Sequence, residues 1–160
     1  MRLFEISLTQ GQREAIKAYK NNSSSINVSD DDTQGEGAKT RRKREGIISK
    51  LDELTSESTT EDLVLYRGTK TPDHAVGDVF SVNRFTGGSL HIQTALRYNT
   101  KHIYRIHVPP GSKGFYLDDP KLRLRLADRQ YKNEQEFLLP RNTKFRVTGH
   151  TEEPLPGNPD

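Results

Sequence analysis

Apolar residues recur at a helical interval near the start of this chain and at a strand interval further on. Thr9, Gln10, Gly11 and Gln12 form a capping signature ahead of Ala15, Ile16 and Tyr19, whose spacing predicts a helix. From Asn21 to about Gly37 the chain is polar, with a serine run and then Asp30, Asp31 and Asp32. This stretch reads as a loop, and residues 21–45 as a flexible region. Arg41, Arg42, Lys43 and Arg44 follow, and Ile47, Ile48, Leu51 and Leu54 then return to helical spacing.

From Leu63 the period becomes two. LVLYRG (63–68) predicts a strand with Leu63, Leu65 and Arg67 on one face. A second strand centres on Val79 and Phe80. The passage from Phe85 to Ser89 crosses a glycine pair and leads to a short helix near 93–98. HIYRIHV (102–108) is the clearest strand: Tyr104, Ile106 and Val108 share a face, and Pro109 and Pro110 end it. GFYL (114–117) adds a short strand. Residues 120–133 form a long basic connection. EQEFLL (134–139) and KFRVTG (144–149) predict a hairpin joined through PRNT (140–143). Pro154, Pro156 and Pro159 mark 151–160 as a disordered tail. Helices first and strands after indicate one α+β domain over 1–150, built on mainly antiparallel sheet.

Composition narrows the chemistry. The 160 residues are 31% hydrophobic and 29% charged, lean for a fold covering the full length. There is no cysteine, which excludes disulfides, thiolate nucleophiles and Cys-ligated zinc. The five histidines lack ligand spacing; His102 and His107, five apart on a strand, face opposite sides. No metal site is expected. No apolar run reaches the roughly 20 residues of a membrane helix, and the N-terminus has no signal-peptide core. The net charge of +3 suits an acidic ligand without establishing one. The run Arg41–Arg44 reads first as a solvated helix turn and second as a patch for phosphates. No Walker loop or GxGxxG is present.

The residues left for chemistry are few. Glu134 and Glu136 stand at i and i+2 on a predicted strand, so both carboxylates point to one side, roughly 7 Å apart. Leu138 continues that face, while Phe137 and Leu139 point the other way. Two carboxylates in one cleft suit a cationic transition state: one faces the developing charge, the other orients a nucleophile. Taken alone, such a pair more often means two solvated glutamates. Arg67 ends an apolar strand face before Gly68, where a guanidinium can clamp a diphosphate or simply reach solvent. Ser89 is placed to bond a catalytic carboxylate or to serve as a turn serine.

The order of these features is more specific than any one of them. LVLYRG, then FTGGSL, then EQEFLLPRNTKFRV, with HIYRIHVPPGSKGFYLDD between, resembles the Arg-Ser-Glu branch of the mono-ADP-ribosyltransferases. That branch comprises the C3-like exoenzymes, the binary actin-modifying toxins and the enzymes of T4-like phages. The similarity runs from about Leu8 to Gly149 and is poor between Val28 and Glu45. It implies the ADP-ribosyltransferase fold, with N-terminal helices packed on a mainly antiparallel two-sheet core. It also implies NAD as co-substrate.

By position, Arg67 matches the arginine that holds the NAD diphosphate, and Asn27 and Arg97 match other NAD contacts. Ser89 matches the last serine of the Ser-Thr-Ser motif, which positions the catalytic glutamate, and Glu136 matches that glutamate. Glu134 matches the first position of the Glu-x-Glu motif, associated with transfer to arginine. Tyr131 falls where the substrate-recognition loop carries an aromatic residue. Two departures stand out. Gly87 and Gly88 replace the first two motif residues, leaving Thr86 as a neighbouring hydroxyl, and Asp30-Asp31 stand where a second arginine is usual.

The expected protein is therefore an NAD-dependent transferase acting as a monomer on a macromolecule, host protein ahead of nucleic acid. It would work in the cytoplasm of a host or target cell, away from membranes, as a toxin or phage effector. An NAD glycohydrolase of the same fold, a catalytically inactive binding module and a nucleic-acid binder using the basic segments share many of these features.

Overall fold

The computed structural model describes residues 8–28, 35–69, 74–97, 101–119 and 134–152. The first helix, α1 (Gln10–Asn21), starts where its capping box requires. Thr9 Oγ1 accepts from the Gln12 N–H, and the Gln12 side chain accepts from the Thr9 N–H, both at 3.1 Å. These bonds satisfy two donors that a helix start otherwise leaves open. Its buried residues are Ala15, Ile16 and Tyr19, the face expected from their spacing.

Within the stretch 21–45, residues 29–34 lie outside the described residues, and the rest holds more helix than its polarity suggests. A helical turn, α2 (Ser23–Ile26), follows at once, and α3 (Ala38–Thr55) already includes 38–45. The reason is local. Asn22 caps α2 by accepting from the Ser25 N–H at 3.2 Å and the Ser24 hydroxyl at 2.8 Å. Short polar side chains that disfavour helix interiors favour helix starts. The basic run consists of good helix formers. Arg41, Arg42 and Lys43 are exposed, and Arg44 pairs with Glu36 at 2.5 Å. Among the described residues, α3 is buried through its far half, at Leu51, Leu54 and Thr55.

The strands are β1 (Leu63–Thr69), β2 (Val79–Val82), β3 (Thr86–Ser89), β4 (His102–Val108), β5 (Phe115–Tyr116), β6 (Glu136–Leu139) and β7 (Thr143–Arg146). A short helix, α4 (Ile92–Leu96), follows β3. Five strands form one antiparallel sheet in the order β4-β1-β3-β6-β5, and β2 pairs with β7 in a second.

The predicted hairpin of EQEFLL and KFRVTG does not form. Both edges of β6 are taken, by β3 and β5, so its backbone has no ladder left for β7. Asn142, with φ of 63°, turns the chain instead, and its N–H bonds the Val82 carbonyl at 2.8 Å. β7 thereby joins β2.

Two cores lie on opposite faces of the larger sheet. Leu138 joins Ile16, Tyr19, Leu51 and Leu54 on the helical side. Phe137 and Leu139 join Leu65 and Val108 on the other. The alternation read from the sequence of β6 holds. Leu65 and Leu138 are fully buried, and truncating either to alanine is expected to cost about 2–5 kcal/mol.

Candidate active site

A cavity of about 360 Å³ opens where α1, β1, β3, α4 and the start of β6 converge. Its walls include Tyr19, Lys20, Asn27, Arg67, Ser89, Glu134 and Glu136. The volume falls within the usual range for small-molecule sites.

The two glutamates reach the cavity by a different backbone from the one a plain strand supplies. Regular strand begins only at Glu136, and Gln135 before it is left-handed at φ 47°. Such a conformation costs a non-glycine residue roughly 1–2 kcal/mol, and strain of this kind gathers at functional sites. It is held by the chain opposite: the Leu90 N–H bonds the Gln135 carbonyl at 3.1 Å.

Ser89 acts on the same segment. Its hydroxyl donates to the Glu134 carbonyl at 2.7 Å and accepts from the His91 N–H at 3.0 Å. Both bonds go to backbone, so Ser89 braces the turn that carries the carboxylates and does not bond a carboxylate directly. Its register partner in β6 is Glu136.

The Glu136 carboxylate lies against Gly87. A Cβ on Gly87 would come within 2.2 Å of Glu136 Oε1, so the carboxylate fills the space a side chain there would need. Burial pushes the Glu136 carboxyl up to about 7. Lys20 opposes that rise, Glu134 and Asp118 add to it, and Arg67 again opposes it. A carboxylate poised near neutrality in a cleft is a recurrent mark of a functional group.

Arg67 donates from Nη1 to the Gly87 carbonyl at 2.8 Å, tying β1 to β3 at the cavity wall. Asn27 makes a two-way bond with the backbone of Phe85: its Nδ2 donates to the carbonyl at 3.4 Å and its Oδ1 accepts from the N–H at 3.1 Å. It also bonds Tyr19, whose hydroxyl burial pushes up to about 12, helped by the nearby Glu136 charge. Tyr19 therefore stays a neutral donor at any physiological pH. Arg97 caps the exposed end of α4, and Thr94 and Ala95 of that helix face the cavity in its place. Tyr131 lies outside the described residues. No cluster of metal-ligating side chains occurs among the described residues, and no helix among them is long and apolar enough to cross a membrane.

Two cavity-side charges escaped the sequence reading. Lys20 and Asp118 form an ion pair at 2.5 Å with side chains only 4% and 7% exposed. A signal existed: Lys20 follows Ile16 by four and Tyr19 by one, which puts a charge on the buried face of an amphipathic helix.

The sequence model of the ADP-ribosyltransferase exoenzyme family matches residues 3–158. No curated protein matches the chain by sequence. Among solved structures, the chain is similar to a C3 ADP-ribosyltransferase from Clostridium botulinum. The TM-score is 0.71 at 19% identity, over 94% of this chain and 83% of that one. The Clostridium limosum C3 exoenzyme gives 0.71 at 20% identity, over 94% and 82%. A C3 protein from S. aureus, solved with NAD, gives 0.68 at 20% identity, over 89% and 80%. At such identities the likeness carries the fold, and the fold is the one the motifs implied.

Proposed function

The chain belongs to the ADP-ribosyltransferase exoenzyme family, and on that premise we propose that it is a mono-ADP-ribosyltransferase. It takes NAD as co-substrate, releases nicotinamide and passes ADP-ribose to a macromolecular acceptor. The observation that carries this reading is the shared cavity of Glu136, Glu134 and Arg67.

The roles follow from charge and position. Arg67 holds the diphosphate, as a guanidinium suits phosphate oxygens. Asn27 keeps the α2 end against β3, which shapes the wall beside it. As the bond between nicotinamide and ribose breaks, its electron pair leaves with the nicotinamide nitrogen and positive charge grows on the ribose. Glu136, ionised, faces that charge and stabilises it. Glu134 receives the proton of an attacking arginine side chain as nitrogen bonds the ribose carbon, with Tyr131 on the acceptor side. Ser89 keeps the Glu134–Glu136 segment in place through its backbone bond. The acceptor class is protein arginine in a target cell, as expected of a toxin-like enzyme.

The test is incubation of wild type and Glu136→Gln with labelled NAD and cell lysate, following free nicotinamide and macromolecular label together. Label on protein with wild type alone is the expected result. Nicotinamide release without label would make water the acceptor. Neither signal from a folded protein would leave the cavity without catalysis.

A further inference from the structure

Nothing in the proposed chemistry uses Lys20 or Asp118, yet both charges are buried beside it. Removing two charges from water is expensive, and their attraction often does no more than break even. The pair is therefore a poor device for stability alone. Its other contacts point elsewhere.

Asp118 Oδ1 pairs with Lys20 Nζ, while its Oδ2 accepts from the Glu136 N–H at 2.8 Å. The preceding residue, Leu117, donates its N–H to the Glu136 carbonyl at 2.9 Å. Residues 117 and 118 thus hold Glu136 by both its N–H and its C=O. They do so at the point where the chain leaves the left-handed Gln135 and begins β6. Lys20, from α1, holds Asp118 in turn and lines the cavity with Glu136.

We propose that Lys20 and Asp118 are positioning residues for Glu136. Asp118 fixes the backbone from which the carboxylate projects. Lys20 fixes Asp118 and places a positive charge in the cavity that Glu136 lines. This inference rests on Glu136 being the catalytic carboxylate. The groups facing Glu136 are Lys20 and Tyr19 from α1, Arg67 from β1, Asp118 after β5 and Glu134 before β6. Lys20 and Arg67 favour the charged form, Asp118 and Glu134 oppose it, and Tyr19 stays neutral throughout the range that matters.

The experiment measures nicotinamide release from NAD against pH for five proteins. They are wild type, Glu136→Gln, Lys20→Met, Lys20→Arg and the double variant Lys20→Met/Asp118→Asn. Lys20→Met is expected to lower kcat about 10-fold near neutrality, with KM for NAD little changed. Its acidic limb should move to higher pH, because without the cation Glu136 ionises later. Lys20→Arg keeps the charge and should bring the limb back.

The double variant leaves no unpaired buried charge, and the new amide still accepts from the Glu136 N–H. It carries the test if circular dichroism shows that Lys20→Met does not fold. Its limb should shift upward by less than that of the single variant, since an opposing charge goes as well. A folded Lys20→Met with the wild-type kcat and pH profile, or one changed only in KM, overturns the inference. So does a double variant with the wild-type limb. If Glu136→Gln itself still releases nicotinamide, the fault lies with the role of Glu136. If it is inactive while the Lys20 variants behave as wild type, only the positioning role fails.

Discussion

The basic run on α3 and the buried Lys20 of α1 present charge in opposite ways. Arg41, Arg42 and Lys43 stand exposed along the first half of their helix, four cations in a row counting Arg44. Lys20 is one cation, almost wholly buried, with its partner buried beside it. The run is the more conspicuous in the sequence. Lys20 is the one that lines the cavity. The density of charge along a chain reports solvation, whereas a charge on the apolar face of a helix reports an interior partner. Water screens the first within about 10 Å at ordinary salt, while the interior leaves the second nearly unscreened.

Substitutions in the cavity and on α3 sharpen this contrast. The largest effect is expected from Glu136→Gln, which should lower nicotinamide release by about 10³-fold or more, since it removes the charge facing the ribose. Release within a few-fold of wild type would move the chemistry away from β6.

Next comes Gly87→Ser, which restores a motif hydroxyl but places its Cβ where Oε1 of Glu136 now lies. The carboxylate can swing aside, so the melting temperature should hardly change while kcat falls about 10- to 100-fold. A faster enzyme would mean that the missing serine, and not the seat made by glycine, limits the site.

Glu134→Gln is expected to reduce transfer to arginine more than NAD hydrolysis, read as the ratio of labelled arginine to free nicotinamide. An unchanged ratio removes Glu134 from acceptor activation.

A stability effect follows from the raised Glu136 carboxyl. Its folded value of about 7 lies above the usual carboxyl value of 4.5. Its contribution to stability is thus complete below pH 4.5 and lost as pH rises through 7. Glu136→Gln has no such loss. Its melting temperature should gain on wild type between about pH 5 and pH 8, by an amount corresponding to on the order of 1–3 kcal/mol. A gap independent of pH would mean that the carboxylate is not desolvated.

The smallest effect belongs to Arg42→Ala on the exposed run. Stability should stay within about 0.5 kcal/mol and nicotinamide release should not change. A substantial loss of release would bring the α3 run into the site after all.

Part of the candidate site was legible in the order of residues along the chain. That order marked Arg67, Ser89, Glu134 and Glu136, and the cavity gathers all four. Their manner of working was less legible. Period-two spacing put both glutamates on one side of a strand, but Glu134 lies before the strand and Gln135 turns the chain through a left-handed residue. Ser89 was read as bonding a carboxylate or as a turn serine, and its hydroxyl donates to the Glu134 carbonyl. Hydroxyls bond whatever acceptor packing delivers, and no pattern in the sequence states which one that is.

What the sequence determined by itself is what repeats locally. The capping box of α1, the buried face Ala15, Ile16 and Tyr19, and the alternation of Phe137, Leu138 and Leu139 all follow from side-chain type and backbone period. Tertiary structure alone decided the pairings between distant segments. β7 went to β2 because both edges of β6 were occupied. Lys20 met Asp118, far along the chain, because α1 packs over the end of β5 and the start of β6. A local period fixes which way a side chain points, but the partner it finds is chosen by the packing of the whole chain.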